Sequence, residues 1–303
     1  MDKKEKVIPR RRLRIFVQCA FAALSTGYLT GFGTGKIYTG ATKRLCVPGM
    51  NCYSCPGALA SCPIGALQAT IGSRAFHVSL YVFGFLVAVG ALLGRGVCGF
   101  LCPFGLVQEL LYKIPLLKKL RLRRLPGEKG LRALKFVMLL LFVLLLPMVV
   151  TDVTGQGDPW FCKYICPVGT LEAGIPLVLF HKGLQSAIGF LYTWKLAILG
   201  VILLLSLVIW RPFCRYLCPL GALYGFFNRF ALYRYRVDVA KCIDCGACRA
   251  ACKLDLPVWE KPNHIDCVRC GACMDACPTG ALGTLIRFPR GGRVPDQTDT
   301  ENT

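Results

Sequence analysis

The sequence predicts a bundle of about four membrane-spanning helices with an internal duplication, followed by a small C-terminal α+β domain. Three observations carry this. The chain of 303 residues is 54% hydrophobic, with a mean hydropathy of +0.52, above the range of soluble domains. It nevertheless carries a formal net charge of +21. That pair suits a membrane protein whose basic residues gather in loops on one side. Nineteen cysteines fall mostly in metal-ligand spacings, unlike those of a secreted disulfide scaffold. A nucleic-acid partner is excluded, because no DNA- or RNA-binding motif accompanies the charge.

The elements follow in order. Residues 1–14 form a basic cytoplasmic arm with Lys3, Lys4, Lys6, Arg10, Arg11, Arg12 and Arg14. The apolar run from Ile15 to Phe32 reads as a retained first span, since no small-residue cleavage site follows it. Cys19 stands alone there and reads as a packing residue. A loop over 33–75 carries Cys46, Cys52, Cys55 and Cys62. Further spans are expected at 76–95, 133–150 and 187–210. The piece GIPLVLF, ending at Phe180, is too short to cross a hydrocarbon core of roughly 30 Å and reads as re-entrant or interfacial. Lys and Arg crowd the arm, the 96–132 loop and the stretch after the fourth span. Both termini are therefore expected in the cytoplasm, in a multi-pass protein of the cytoplasmic membrane. The membrane domain is expected over 15–236, the C-terminal domain over 237–287 and a flexible tail over 288–303.

The C-terminal domain reads CIDCGACRAACK, then a spacer, then CVRCGACMDACP. Each half is C-x2-C-x2-C-x3-C, the thiolate spacing that wraps a [4Fe–4S] cube. Zinc also takes four thiolates, but zinc motifs rarely repeat this spacing. Two such runs in tandem resemble a bacterial two-cluster ferredoxin. In that family the fourth Cys of each run ligates the other cluster. The resemblance implies one cluster on Cys242, Cys245, Cys248 and Cys277, and another on Cys267, Cys270, Cys273 and Cys252. Lys253 stands where the family usually has Pro after the fourth Cys.

The tetrapeptide C-P-x-G occurs five times, at Cys62, Cys102, Cys166, Cys218 and Cys277. Three membrane-domain copies carry a second Cys four residues upstream: Cys98, Cys162 and Cys214. Pro suits the first helical position, which puts the preceding Cys at the N-cap, facing the positive end of the helix dipole. RGVCGFLCPFGLVQEL aligns with RPFCRYLCPLGALYGF, and ASCPIGALQA with YICPVGTLEA. The membrane domain thus reads as a duplicated pair of spans. Cys98, Cys102, Cys214 and Cys218 are expected to hold a third cluster near the inner face. Cys62, Cys162 and Cys166 face the outer side, with Cys55 as the expected fourth ligand of a further cluster. Cys46 and Cys52 are then spare, as a disulfide or a further ligand pair. Alternatively, Cys46, Cys52, Cys55 and Cys62 bind a cluster among themselves. The competing reading makes the C-x3-C-P pairs redox-active dithiols or structural turns.

These motifs, four spans and a trailing two-cluster ferredoxin together resemble the NosR/NapH/CcoG class of membrane polyferredoxins. The resemblance covers about 75–285. The chain lacks the large extracytoplasmic flavin-binding domain of NosR, and its Cys46/Cys52/Cys55 loop departs from the NapH pattern. The resemblance implies an electron-transfer subunit between a cytoplasmic or quinol donor and an extracytoplasmic redox partner, such as a flavoprotein. Two other functions are weighed: a maturation reductase for a metalloenzyme, and a membrane thiol–disulfide reductase. No catalytic residue of a stand-alone enzyme is expected. His77, His181 and His264 read as boundary residues, and Asp152, Asp158 and Glu172 as solvated loop carboxylates.

Overall fold

The computed structural model describes residues 10–73, 79–114, 120–152, 155–186 and 188–284. Most of the expected basic arm, the tail from 288 onward, His77, Lys118 and Lys119 lie outside them.

Helix α1 spans Arg10–Ser25. It ends short of the apolar run because the chain turns at Gly27, where the Leu29 N–H donates to the Gly27 carbonyl at 3.0 Å. One further helical turn, Thr30–Thr34, precedes a long loop. That loop does not stay at the surface. The Cys46 N–H donates to the Tyr81 hydroxyl at 3.0 Å, and the Tyr224 hydroxyl donates to the Pro48 carbonyl at 3.1 Å. Met50 is only 2% exposed. The chain leaves this interior position into α2 (Pro63–Ile71) and then α3 (Leu80–Leu93). Next come α4 (Gly96–Phe100) and α5 (Pro103–Lys113). Helix α6 (Glu128–Val149) and α7 (Pro167–Phe180) lead to α8 (Phe190–Val208). The short helices α9 (Pro212–Tyr216) and α10 (Pro219–Phe227) follow. Helix α5 packs between α1 and α8, and α10 between α3 and α6.

Among the described residues two helices, α6 and α8, are long and apolar enough to cross a membrane. Only 22% and 17% of their apolar windows are buried inside the protein, whereas a soluble core helix would be mostly buried. Leu140, Leu145, Val201 and Leu204 accordingly face outward. The other two expected spans are shorter helices. Helix α3 has 14 residues, about 21 Å at 1.5 Å per residue, against a core of roughly 30 Å. Helix α1 has 16 residues. GIPLVLF forms the second half of α7.

The C-terminal lobe is small and cysteine-rich. Strands β1 (Tyr235–Val237) and β2 (Leu282–Thr284) pair antiparallel, with Tyr235 opposite Thr284. Two short helices, α11 (Ala247–Ala251) and α12 (Ala272–Asp275), pack on each other. The two halves repeat the same backbone. Asp244 and Arg269, each two residues after the first Cys of its run, have φ of 47° and 54°. Gly246 and Gly271 follow at φ of 70° and 83°. These left-handed positions turn the C-x2-C loop so that its sulfurs converge.

Asp266 locks this lobe to the membrane helices. Its side chain is 5% exposed and pairs with Arg95 at 3.5 Å, Arg132 at 2.9 Å and Lys135. Burial alone would raise this carboxyl, but Lys135 and Arg95 hold it well below the usual range. Asn228 adds a second clamp. Its Oδ1 accepts the Arg95 N–H at 2.9 Å, and its Nδ2 donates to the Cys267 carbonyl at 2.8 Å. Asp266→Asn leaves buried cations uncompensated, a loss of about 3–5 kcal/mol. Limited proteolysis of the connection at 229–241 should accelerate in that variant, while far-ultraviolet dichroism stays unchanged.

Candidate iron–sulfur sites

The structure gathers the eight ferredoxin-lobe cysteines into two sets. Cys242, Cys245, Cys248 and Cys277 line one cavity, with Trp259 and Ile243 beside them. Cys252, Cys267, Cys270 and Cys273 line another, with Trp210 and Lys253 at its edge. The fourth cysteine of each run therefore crosses to the other set. Lys253, in the position expected for Pro, lies over the Trp210 and Tyr112 rings at 5.7 and 5.2 Å. It binds the lobe to the membrane domain by cation–π contact.

A third set lies between the repeats. Cys98, Cys102, Cys214 and Cys218 line one cavity with Phe104, Phe213 and Met50. Cys102 and Cys218 are the N-caps of α5 and α10, each followed by Pro at the helix start. The Gly221 N–H donates to the Cys218 Sγ at 3.3 Å. The environment has near-twofold symmetry. Arg95 donates to the Cys214 carbonyl at 2.8 Å, and Arg211 donates to the Cys98 carbonyl at 2.5 Å. Each guanidinium lies over the glycine of the opposite C-P-x-G. A Cβ on Gly105 would meet Arg211 at 3.0 Å, and one on Gly221 would meet Arg95 at 3.1 Å. That motif glycine makes room for a buried cation.

The remaining cysteines lie outside these three sets. Cys62 caps α2 and Cys166 caps α7. Cys162 is reached by the Gln68 amide at 3.3 Å, just as Cys214 is reached by Gln108 at 3.5 Å. Cys52 stands beside Cys62, Cys162 and Cys166. Cys55, the expected fourth ligand, does not. Its Sγ donates to the Glu172 carbonyl at 3.1 Å and packs with Ala58 and Ala173. Cys46 lies near Cys62, and no cysteine is in a disulfide. Cys19 is exposed on α1. Glu172 is not a solvated loop carboxylate: its Oε2 accepts the Cys52 N–H at 2.8 Å, and burial pushes it up to about 7.

The donor chemistry suits a polynuclear metal group. Among the described residues, no three His, Cys, Asp or Glu side chains stand close enough to hold a single ion. A tetrahedral zinc with thiolates at about 2.3 Å requires that closeness. Three cavities are each lined by four thiols, the number of ligands that a [4Fe–4S] cube takes. Burial pushes Cys267 up to about 12 and Cys102 up to about 11. Such thiols stay protonated unless a metal cation lies among them. Arg95 Nε and Arg211 Nε are buried without a hydrogen-bond acceptor, beside the third cavity. An anionic group there would supply one.

Sequence reasoning did not find Gln68, Gln108, Arg95, Arg211 or Met50. The signal was present. Each Gln lies six residues after the Cys of a C-P-x-G, and each Arg three residues before the first Cys of its C-x3-C-P.

Comparison with known proteins agrees with this chemistry. A 4Fe-4S binding domain family matches residues 75–124, 136–182 and 192–236, one C-x3-C-P pair in each segment. A second 4Fe-4S binding domain family matches 262–283. The putative electron transport protein YccM of Escherichia coli is 31% identical over 187 residues, 59% of this chain and 46% of its own length. The methylamine utilization ferredoxin-type protein MauN of Paracoccus denitrificans is 29% identical over 236 residues, covering 77% and 71%. An uncharacterized protein of Methanocaldococcus jannaschii, MJ0749, is 27% identical over 201 residues, covering 65% and 66%. The chain thus spans just under two thirds of MJ0749 and less than half of YccM. No solved structure matches it significantly.

Replacing the buried Arg211 by Gln removes a positive charge beside the third cavity. One membrane-domain iron–sulfur signal should then titrate at lower potential by tens of millivolts, where about 59 mV is a tenfold change for one electron. Ferredoxin-lobe signals should not move. Redox titration followed by electron paramagnetic resonance (EPR) reads both.

Proposed function

The chain belongs to the polyferredoxin-type family that includes YccM, MauN and NosR, and from that premise we propose that it is a membrane-bound electron-transfer protein. It passes electrons between a cytoplasmic or quinol donor and an extracytoplasmic redox partner. The membrane domain covers 15–236 in four spans, with both termini and the ferredoxin domain, 237–287, on the cytoplasmic side. The basic loops, the outward apolar faces of α6 and α8 and the apolar helices α3 and α7 support this reading. The first two clusters belong to the ferredoxin lobe and the third to Cys98, Cys102, Cys214 and Cys218.

One observation carries the proposal: the cavities adjoin one another. Gly99, next to Cys98, lies so close to Val268, next to Cys267, that a Cβ would come 2.4 Å from the Val268 carbonyl oxygen. The second and third thiol sets therefore meet through main chain. A [4Fe–4S] cluster, when bound, takes and gives up one electron. The protein's part is to fix the spacing, exclude water and set the charge. Phe104, Phe213 and Leu220 keep the third cavity dry. Arg95 and Arg211 favour the more negative, reduced state there.

Cys214→Ser tests the assignment. The full-length variant should lose one cluster's EPR signal and its electron delivery to the membrane side, while both ferredoxin signals remain. Retention of every signal would rule out the third site.

A further inference from the structure

Near-twofold symmetry leaves an unfilled place in the other cysteine set of the membrane domain. In the third site each repeat supplies two thiols, four residues apart. In the other set one strand of the repeat, Cys162 and Cys166, is complete. The other is not: Ala58 stands four residues before Cys62, where the first thiol belongs. The rest of the machinery is present. Gln68 donates to Cys162 Sγ at 3.3 Å, and its Oε1 accepts the Phe161 N–H at 3.1 Å. Gln108 does the same for Cys214 and the Phe213 N–H, at 3.5 and 3.1 Å. A glutamine whose amide is spent on orienting one thiol is a costly structure to build twice for a turn alone.

We infer that Cys52, with Cys62, Cys162 and Cys166, forms a fourth thiolate site that binds a [4Fe–4S] cluster. This rests on the reading of the third site given above. The Cys52 sulfur lies 3.2 Å from where a Cβ on Gly169 would stand. Gly169 is the glycine of the Cys166 C-P-x-G, the position that Arg95 and Arg211 use in the third site. The loop thus delivers a sulfur through the gap that the motif glycine leaves open. The carboxylate of Glu172 holds the Cys52 N–H at 2.8 Å and so fixes that residue's backbone. Cys55 is directed away, to the Glu172 carbonyl, and carries no ligand role.

The fourth site continues the row. Met50 Sδ lies 3.5 Å from Cys218 Sγ in the third site, and Cys52 follows two residues later. Two residues of chain span at most about 7 Å. Charge reaching the third site therefore has a further stop in the membrane domain.

The test uses full-length protein purified without oxygen, as wild type and as Cys52→Ser, Cys55→Ser, Cys162→Ser and Cys214→Ser. Iron, labile sulfide and EPR spins after full reduction are counted for each. Cys52→Ser and Cys162→Ser should each lose roughly a quarter of the iron and the same one signal. Cys55→Ser should match wild type. Loss in Cys55→Ser with none in Cys52→Ser would overturn the assignment. Loss in Cys214→Ser alone would leave the third site standing and remove the fourth. No loss in any variant would defeat the membrane-cluster reading itself. If Cys52→Ser does not accumulate, Cys52→Asp keeps an anionic ligand. A shifted fourth signal with three unchanged then supports the proposal, and four unchanged signals overturn it.

Discussion

A single buried carboxylate fixes how the two halves of this protein meet. Asp266 accepts cations from α6 and from the start of α4, and it immediately precedes Cys267. Taking these ions out of water costs several kcal/mol each, and only close geometry repays it. Such a cluster adds less stability than position. It allows one seating of the ferredoxin lobe, in which Val268 lies against Gly99. A lobe held by apolar contacts alone could slide, and the second and third thiol sets would separate.

Within the membrane domain the duplication is chemical as well as topological. Both membrane-domain sets use a glutamine to aim a thiol and a proline-led helix to cap one. They differ in charge. Two buried guanidiniums flank the third set, whereas Glu172 and Lys195 stand beside the other one. Burying a cation beside an anionic group stabilises its reduced form.

Much of this was legible from residue spacing. The crossing of Cys252 and Cys277 between the ferredoxin sets is what the resemblance of the tandem runs to a two-cluster ferredoxin implies, and the convergence of Cys98, Cys102, Cys214 and Cys218 matches the repeat. Cys55, expected as a ligand, instead turns its thiol to the Glu172 carbonyl. In the repeat register Cys55 falls where Arg95 and Arg211 fall, three residues before the first thiol position. That register points away from ligation. The interior course of the 33–75 loop had no such signal. It is set by tertiary hydrogen bonds to the Tyr81 hydroxyl and from the Tyr224 hydroxyl, which pattern and composition do not encode. Helix lengths also escaped the hydropathy reading, since α3 starts at an extended Ser79 and stops at Gly94, whose φ of 52° ends it within the apolar run.

Electron passage between the lobe and the membrane domain requires that their thiol sets be contiguous. Spin–spin interaction in the EPR spectrum of the fully reduced, full-length protein measures this directly, with Cys98→Ser as the reference. A broadened, coupled ferredoxin signal that sharpens in the variant is the predicted result. An uncoupled ferredoxin spectrum, identical in both proteins, would contradict it.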